Sequence, residues 1–413
     1  MQSAPGFRHF LTANAPWLAT GAMLTFLSSF GQTFFISVFA GGIRERFGLG
    51  HGDWGGIYFA GTALSALTMI WAGMLTDRFR VRALAPLVLG GLALACIAMA
   101  TISTVWLLPV VIFALRFFGQ GMTSQTSTVA MARWFVATRG RALSIAMLGF
   151  SVGEALLPLL FVALMQLTDW QNLWFLAAAM ALAAIPLLML MLRHERTPQS
   201  LSAGHSRAGM DSRHWQRREV LRHPLFWFMV PALLGPAAWG TALFFHQVHM
   251  ANVKGLPHVE LVALFPIYTV TAVGAMIGAG WLLDRKGTQR LMPWIQLPMI
   301  AAFTIFSLAQ GSGAAALGFV AFGLAVGASY TVVPAFWAEF YGTAHIGAIK
   351  SMASAVMVLG TALGPVITGY LIDFGVPLEH QFLAIATYFG LTTLSMAVGI
   401  GRARQALPDL HPA

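Results

Sequence analysis

Charged residues are scarce in this chain: they make up 9% of it, against about a quarter in soluble domains. Together with 58% hydrophobic residues and a mean hydropathy of +0.74, that scarcity excludes a water-soluble globule and leaves a polytopic membrane protein. Cysteine is almost absent. Cys96 is the single one, so no intramolecular disulfide forms, and its place in an apolar run says nothing about redox compartment. Acidic residues number 14 against 24 Lys and Arg, for a net charge of +10. In a soluble protein such an excess points to nucleic acid. Here the basic residues fall in short connections between apolar runs, where they act as topology signals and contacts for anionic lipid, so nucleic acid is excluded as a partner. No Gly-rich phosphate loop is present, which excludes nucleotide-driven work, and no cofactor is expected. No cleavable signal is apparent, because Met1 to Pro16 is polar and unpatterned and the first apolar run is long enough to span.

What is abundant is hydrophobic length. A bilayer core takes roughly 20 apolar residues per helix, and on that ruler twelve runs qualify: about 17–41, 54–75, 84–103, 105–134, 141–165, 170–193, 225–250, 259–283, 291–310, 313–340, 347–373 and 380–403. Six lie on each side of a polar segment, giving an N-terminal half over 1–192, a basic linker over 193–223 and a C-terminal half over 224–413. The linker reads as solvated chain with a surface helix from Asp211 to Leu221. All Lys and Arg except Arg44, Arg46, Lys254 and Arg116 fall on the side that holds both termini and the linker. The positive-inside rule therefore places both termini in the cytoplasm, with the chain multi-pass in the cell inner (plasma) membrane and working as a monomer.

A charged knot, Gly73-Met74-Leu75-Thr76-Asp77-Arg78-Phe79-Arg80-Val81-Arg82, interrupts two apolar runs and should be a tight loop at the membrane surface. Gly280-Trp281-Leu282-Leu283-Asp284-Arg285-Lys286-Gly287 repeats its Gly, Leu, Asp and Arg in the same order, 207 positions later. The same offset relates Gly140 to Gly347, Gly153 to Gly360 and Pro158 to Pro365. Landmarks so far apart that share one spacing describe two homologous halves in tandem.

Twelve spans in two repeated halves, a central linker and a Gly-x-Leu-x-Asp-Arg loop after the second span resemble the major facilitator superfamily of secondary transporters. The resemblance covers almost the whole chain and implies an all-α fold of two pseudo-symmetric six-helix halves that transports by alternating access. Arg116-Phe117-Phe118-Gly119-Gln120-Gly121 is similar to that family's second motif. In the fifth span Gly149, Gly153 and Pro158 resemble an exporter pattern, but Glu154 stands where that pattern has proline, so direction is not inherited. Arg80 also departs from the family, which has glycine there, whereas Gly287 keeps it. The layout is loosely like the monocarboxylate and oxalate/formate branch. The cations which that branch uses in its second half are missing: Val262 to Leu283 carries no charge and Lys350 stands at the start of the eleventh span.

Two charges lie deep in the first half. Arg116 is about eleven residues into the fourth span, where a charge costs at least ~2.5 kcal/mol, so something must compensate it. It is either a structural ion pair or an anchor for an anionic substrate and a partner in proton coupling. Glu154, on the next span, is either a proton carrier or the standing partner of Arg116. By resemblance, the first, fourth, seventh and tenth spans shape the cavity, which makes Gln32, Phe35, Gln120, Gln125, Trp239, His246, Tyr330 and Trp337 candidate substrate ligands, with Tyr268 beside them. Each by itself is as readily packing. His246 and His249 lie one turn apart, suited to cavity lining or proton handling, and lack the further ligands that a metal needs. The resemblance also implies gating by Asp77, Arg78 and Arg82, mirrored by Asp284 and Arg285, with Glu339 in a salt bridge to Arg285, Arg290 or Lys350.

A secondary transporter of a small organic solute is the leading reading, with a monocarboxylate-like anion on Arg116. Proton-driven efflux of an apolar or cationic compound, with Glu154 as the acidic handle, is its rival. An intramembrane enzyme or a sensor comes last, because a hydrolase needs nucleophile, base and orienting group at one depth, and the histidines belong to the other half.

Overall fold

The computed structural model describes residues 7–73, 75–135, 139–194, 208–308, 310–342 and 345–407; the side chains of Asp77, Arg78 and Asp284 lie outside the described residues. Among these residues every regular element is helical. Ten helices are long and apolar enough to cross a bilayer, and a bent pair, Ala15–Gly31 with Thr33–Phe47, makes an eleventh span. With labels in chain order, the bent pair is α1, and α2 is His51–Ala72, a helix of 22 residues where the second apolar run was expected. The rest of the first half is α3 Val81–Thr101, α4 Val105–Met131, α5 Arg139–Leu164 and α6 Trp170–Met191. The second half comprises α7 Pro224–Phe245, α8 His258–Leu283, α9 Thr288–Leu308, α10 Gly311–Tyr341, α11 Ile346–Asp373 and α12 Leu378–Ala403. Large apolar side chains such as Leu87, Leu94, Val270 and Leu391 are more than half exposed, as expected where lipid replaces water as solvent.

The chain divides into two compact units, Met1–Leu49 with Gly56–Ser202, and Gly50–Gly55 with Ala203–Ala413. Each is closed by glycine seams. In the first, a Cβ on Gly149 would lie 1.8 Å from the Ala22 carbonyl oxygen and one on Gly153 would lie 2.2 Å from Ser29 Oγ, so α5 rides directly on the backbone of α1. In the second, a Cβ on Gly360 would meet the Leu234 carbonyl oxygen at 2.7 Å and one on Gly364 the Ala238 carbonyl oxygen at 2.0 Å, so α11 rides on α7. Small residues allow such approach in a membrane, where no hydrophobic force pushes helices together. The fifth helix of each unit thus packs on its first, a structural echo of the repeated Gly153 and Gly360.

The linker departs from expectation. Rather than running through solvent, its described part folds onto the second unit: Met210 and Trp215 are buried in one cluster with Val220, Phe336, Trp337 and Tyr341. Trp215 N–H donates to the Tyr341 carbonyl at 3.1 Å and its Nε1–H to the Met210 carbonyl at 3.1 Å. The helix covers only Arg217–Arg222, because Asp211 and Ser212 have positive φ. Gln216 and Glu219 close its N-terminus as a capping box, and Arg213 joins Glu219 at 3.1 Å while stacking 4.0 Å from the Trp215 ring. His223 then caps α7 through Nδ1, which accepts from the Leu225 N–H at 3.3 Å.

Burial pushes the His223 imidazole below its usual range, and Arg213 adds to this while Asp211 opposes it. A folded state that disfavours the proton loses stability as pH falls through the ordinary imidazole value of about 6.5. Deuterium uptake over 209–223, corrected for intrinsic exchange, is therefore expected to be faster at pH 5.5 than at pH 7.5, and His223→Gln is expected to flatten the difference. Equal protection at both pH values would reject this role for His223.

Candidate functional site

Residue Gln32 breaks α1. Its ψ of 153° ends one helical segment and starts the next, and the two are bent by 49°. Inside a membrane such a break is tolerated only where other groups satisfy the released backbone. Arg116 does this: its Nη1 donates to the Gly31 carbonyl at 3.2 Å and to Thr33 Oγ1 at 3.3 Å. Thr33 Oγ1 also lies 2.5 Å from the Tyr58 hydroxyl, and the guanidinium sits 5.4 Å from the centre of the Tyr58 ring. Arg116 is 2% exposed, and its Nε is buried without a hydrogen-bond partner among the described residues.

The helix that presents Arg116 is itself irregular. Leu115–Thr123 is π-helical, a widened form that is rare and frequently marks function. It lies where two backbones come closest. A Cβ on Gly31 would meet the Leu115 carbonyl oxygen at 2.2 Å, and one on Gly119 would meet Gly31 Cα at 2.6 Å. The two backbones touch at the break, with Gln32 and Gln120 half-buried beside it and Gln125 half-buried one turn further along α4.

Glu154 is 8% exposed on α5. No ion pair among the described residues joins it to Arg116 or to any other cation. Of the two arrangements open at the sequence level, the standing pair is therefore the one this geometry lacks. Arg116 is instead compensated by a carbonyl, a hydroxyl and an aromatic face, none of which carries a full negative charge.

In the second unit Trp239 and His246, with Thr368 and Phe382, line a cavity of about 10 Å³ among α7, α11 and α12, room for about one water. His246 Nε2 lies 3.0 Å from the Pro365 carbonyl oxygen, whereas Trp239 Nε1 and Thr368 Oγ1 are buried with no partner among the described residues. The His51 ring, in the short segment that groups with this unit, lies 5.7 Å from His246 and 4.6 Å from His249.

Other expected ligands do not join either cluster. Trp337 is 1% exposed and packed among Phe226, Phe336 and Tyr341, so it is core, corrected from the cavity role. Phe35 is likewise core, ringed by Phe30, Phe39, Phe161 and Trp174. Tyr330 is 54% exposed, outside the Trp239 cavity. Tyr268 is buried against Phe244 and Phe322.

The gate residues are also rearranged. Glu339 is in none of the ion pairs among the described residues; its Oε2 accepts from the Thr288 N–H at 3.1 Å, pinning the start of α9, so the expected salt bridge is corrected to a helix cap. Arg285 stacks on Trp281, 3.7 Å from the ring centre. Arg82 donates to the Arg193 carbonyl at 3.3 Å, and Arg133 donates to the Thr76 carbonyl at 2.9 Å. Asp77, Arg78 and Asp284 have side chains outside the described residues. Sequence reasoning missed Thr33 and Tyr58, although Gly31-Gln32-Thr33 in an apolar run is a visible polar break. It also missed the pair between Lys254 and Glu379 at 3.4 Å.

A family model for the Major Facilitator Superfamily matches residues 21–365 of the 413, which takes in the broken α1, the Arg116 helix and both glycine seams. The chain belongs to the Major Facilitator Superfamily. It is thus a multi-pass membrane transporter of small solutes. Among curated facilitators it is 26% identical over 385 residues to the 3-(3-hydroxy-phenyl)propionate transporter of Escherichia coli (strain K12), covering 89% of each chain. Over 267 residues it is 26% identical to monocarboxylate transporter 13 of Rattus norvegicus, covering 62% of this chain and 58% of that one. Facilitated glucose transporter member 8 of Bos taurus is 29% identical over 161 residues, and there this facilitator spans about a third of the relative, 32%. Among solved structures, a bacterial homologue of the human lysosomal transporter Spinster, inward-facing and unoccupied, superposes with a TM-score of 0.73 at 16% identity, covering 99% of this chain and 100% of that one. The nucleoside transporter NupG superposes with a TM-score of 0.71 at 13% identity, covering 93% and 98%. At those identities the structural likeness concerns the fold.

Proposed function

We propose that this facilitator is a gradient-coupled secondary transporter of a small organic anion of the monocarboxylate kind, with Arg116 as the charge partner of the carboxylate. The observation that carries this reading is the deep guanidinium that has no carboxylate partner among the described residues and whose Nε bonds none of them. An unneutralised charge in apolar surroundings is costly, and a substrate carboxylate would remove the cost while bound. Gln32, Gln120 and Tyr58 would then orient the substrate, and Gln125, Trp239 and His246 remain ligand candidates in this proposal. Two of the relatives carry names of carboxylate transporters, which supports the same class. Transport proceeds by alternating access between an N-terminal half, 1–192, and a C-terminal half, 224–413, with Asp77, Arg78, Arg82, Asp284 and Arg285 as gating groups. Both termini are assigned to the cytoplasmic side of the plasma membrane, and the working unit to a monomer.

The rival, proton-driven efflux of an apolar or cationic compound, draws on Glu154, a buried acid without an ion-pair partner among the described residues. Proteoliposomes separate the two. The expected result is saturable uptake of labelled 3-phenylpropionate or another small monocarboxylate, competed by other monocarboxylates and not by the matching amide or amine. Competition by lipophilic cations, with none by carboxylates, would assign the rival instead.

A further inference from the structure

An open cleft of about 710 Å³ lies where the turn between α8 and α9 meets the end of α12. Local chain geometry builds it. Gly287, at φ +69°, ends the helix that carries α8 through Lys286, and α9 restarts at Thr288, which puts Lys286 and Arg290 on one wall. The short turn that follows α12, Arg404–Ala406, brings Arg404 to the other. All three cations are exposed, none is in an ion pair among the described residues, and none of the described lining residues is acidic. Glu339, the acid that reaches this turn, is outside the lining and accepts from Thr288.

Apart from Gln289 the rest of the lining is apolar, with Leu291, Pro293 and Ile400. Trp294, also in the lining, is 65% exposed, and Trp281 on α8 is 57% exposed. Exposed tryptophan at the end of a span marks the level of lipid headgroups. Three like charges in one cleft repel unless an anion joins them. Free phosphate would satisfy the cations and leave the apolar walls in water.

We propose that this cleft is a binding site for one anionic phospholipid, its phosphate held by Lys286, Arg290 and Arg404 and its acyl chains lying along Leu291, Ile400 and Trp294. The site is separate from the Arg116 network, so it stands whether or not the transported solute is an anion.

The test uses the purified full-length protein in zwitterionic phosphatidylcholine nanodiscs and in detergent. Native mass spectrometry counts bound dioleoylphosphatidylglycerol, with dioleoylphosphatidylcholine as comparison. One tightly held phosphatidylglycerol per protein is expected, weakened at least about tenfold by K286Q/R290Q/R404Q, since each basic residue near a lipid surface contributes roughly 1 kcal/mol, several-fold in binding. Removing equal charge from the linker helix in R217Q/R218Q/R222Q is expected to leave that lipid in place. Equal loss in both triple variants means diffuse attraction to the protein's positive side and overturns the proposal, as does retention in the first triple variant. Displacement of the lipid by millimolar inorganic phosphate would identify a soluble-anion site and also overturn it. Melting in phosphatidylcholine reports whether each variant is folded; if the triple variant is not, the exposed single substitution R404Q carries the same expectation at a few-fold weakening.

Discussion

Arg116→Ala is expected to weaken carboxylate uptake by roughly a hundredfold, because truncating one member of a buried, hydrogen-bonded charge pair costs about 3 kcal/mol. The size of the effect rests on three features. The guanidinium is 2% exposed, so bulk solvent does little to screen it. No described carboxylate neutralises its charge. Its Nε has no hydrogen-bond partner among the described residues. Arg116→Lys keeps the charge but not the planar fork, which holds Gly31 and Thr33 while facing a ligand, so it is expected to retain a small part of the uptake. Since alanine also leaves the Gly31 carbonyl unsatisfied at the α1 break, the melting temperature must be followed alongside. A folded alanine variant whose uptake saturates at the wild-type concentration would remove the anion anchor.

A related expectation concerns stability. The Lys254 side chain is 2% exposed and its ion-pair partner is Glu379. Glu379→Ala strands that charge, at a cost of about 3 kcal/mol, seen as a lower melting temperature with the apparent affinity for substrate unchanged. A melting temperature equal to that of the wild type would show that the pair is not holding the unit together.

The spans were legible because hydropathy and length are properties of a segment by itself, and the tandem halves because Gly153 and Gly360 kept both their spacing and their task of seating the fifth helix on the first. Arg116 was legible as a charge at depth. What surrounds it was not. The break at Gln32 and the π-helical stretch lie where Gly31 meets Gly119, two residues 88 positions apart in sequence, and no local pattern contains that contact. Tyr58 was missed for the same reason. Charges at helix ends are easily paired on paper, which makes Glu339 look like a gate, yet its Oε2 accepts from a backbone N–H at the start of α9. Trp337 was read as a ligand from the span it belongs to, whereas its neighbours on that helix, Phe336 and Tyr341, pack with it in one buried cluster. The linker was read as solvated from its charges, which outweighed Met210 and Trp215 in the reading but not in the fold.

Glu154→Gln is expected to separate exchange from accumulation. Glutamine keeps the shape and polarity of the side chain and removes its ability to take up a proton. Glu154 lacks an ion-pair partner among the described residues, so its charge is not needed to neutralise a neighbour. We extend the anion proposal by giving Glu154 the proton while Arg116 holds the anion. One proton per monocarboxylate is then electroneutral, and a gradient of one pH unit, about 1.4 kcal/mol, sustains roughly a tenfold accumulation. The variant should lose that accumulation and fall to equal concentrations on both sides. Exchange of labelled for unlabelled substrate at equal pH should continue at a comparable rate, since it needs Arg116 and the movement of the halves but no proton. The two measurements must diverge for the assignment to hold. If both collapse, Glu154 is part of the scaffold that seats α5 on α1; if accumulation still tracks the pH gradient, the proton travels on another group, and His246, whose Nε2 faces the Pro365 carbonyl in the other unit, becomes the residue to substitute.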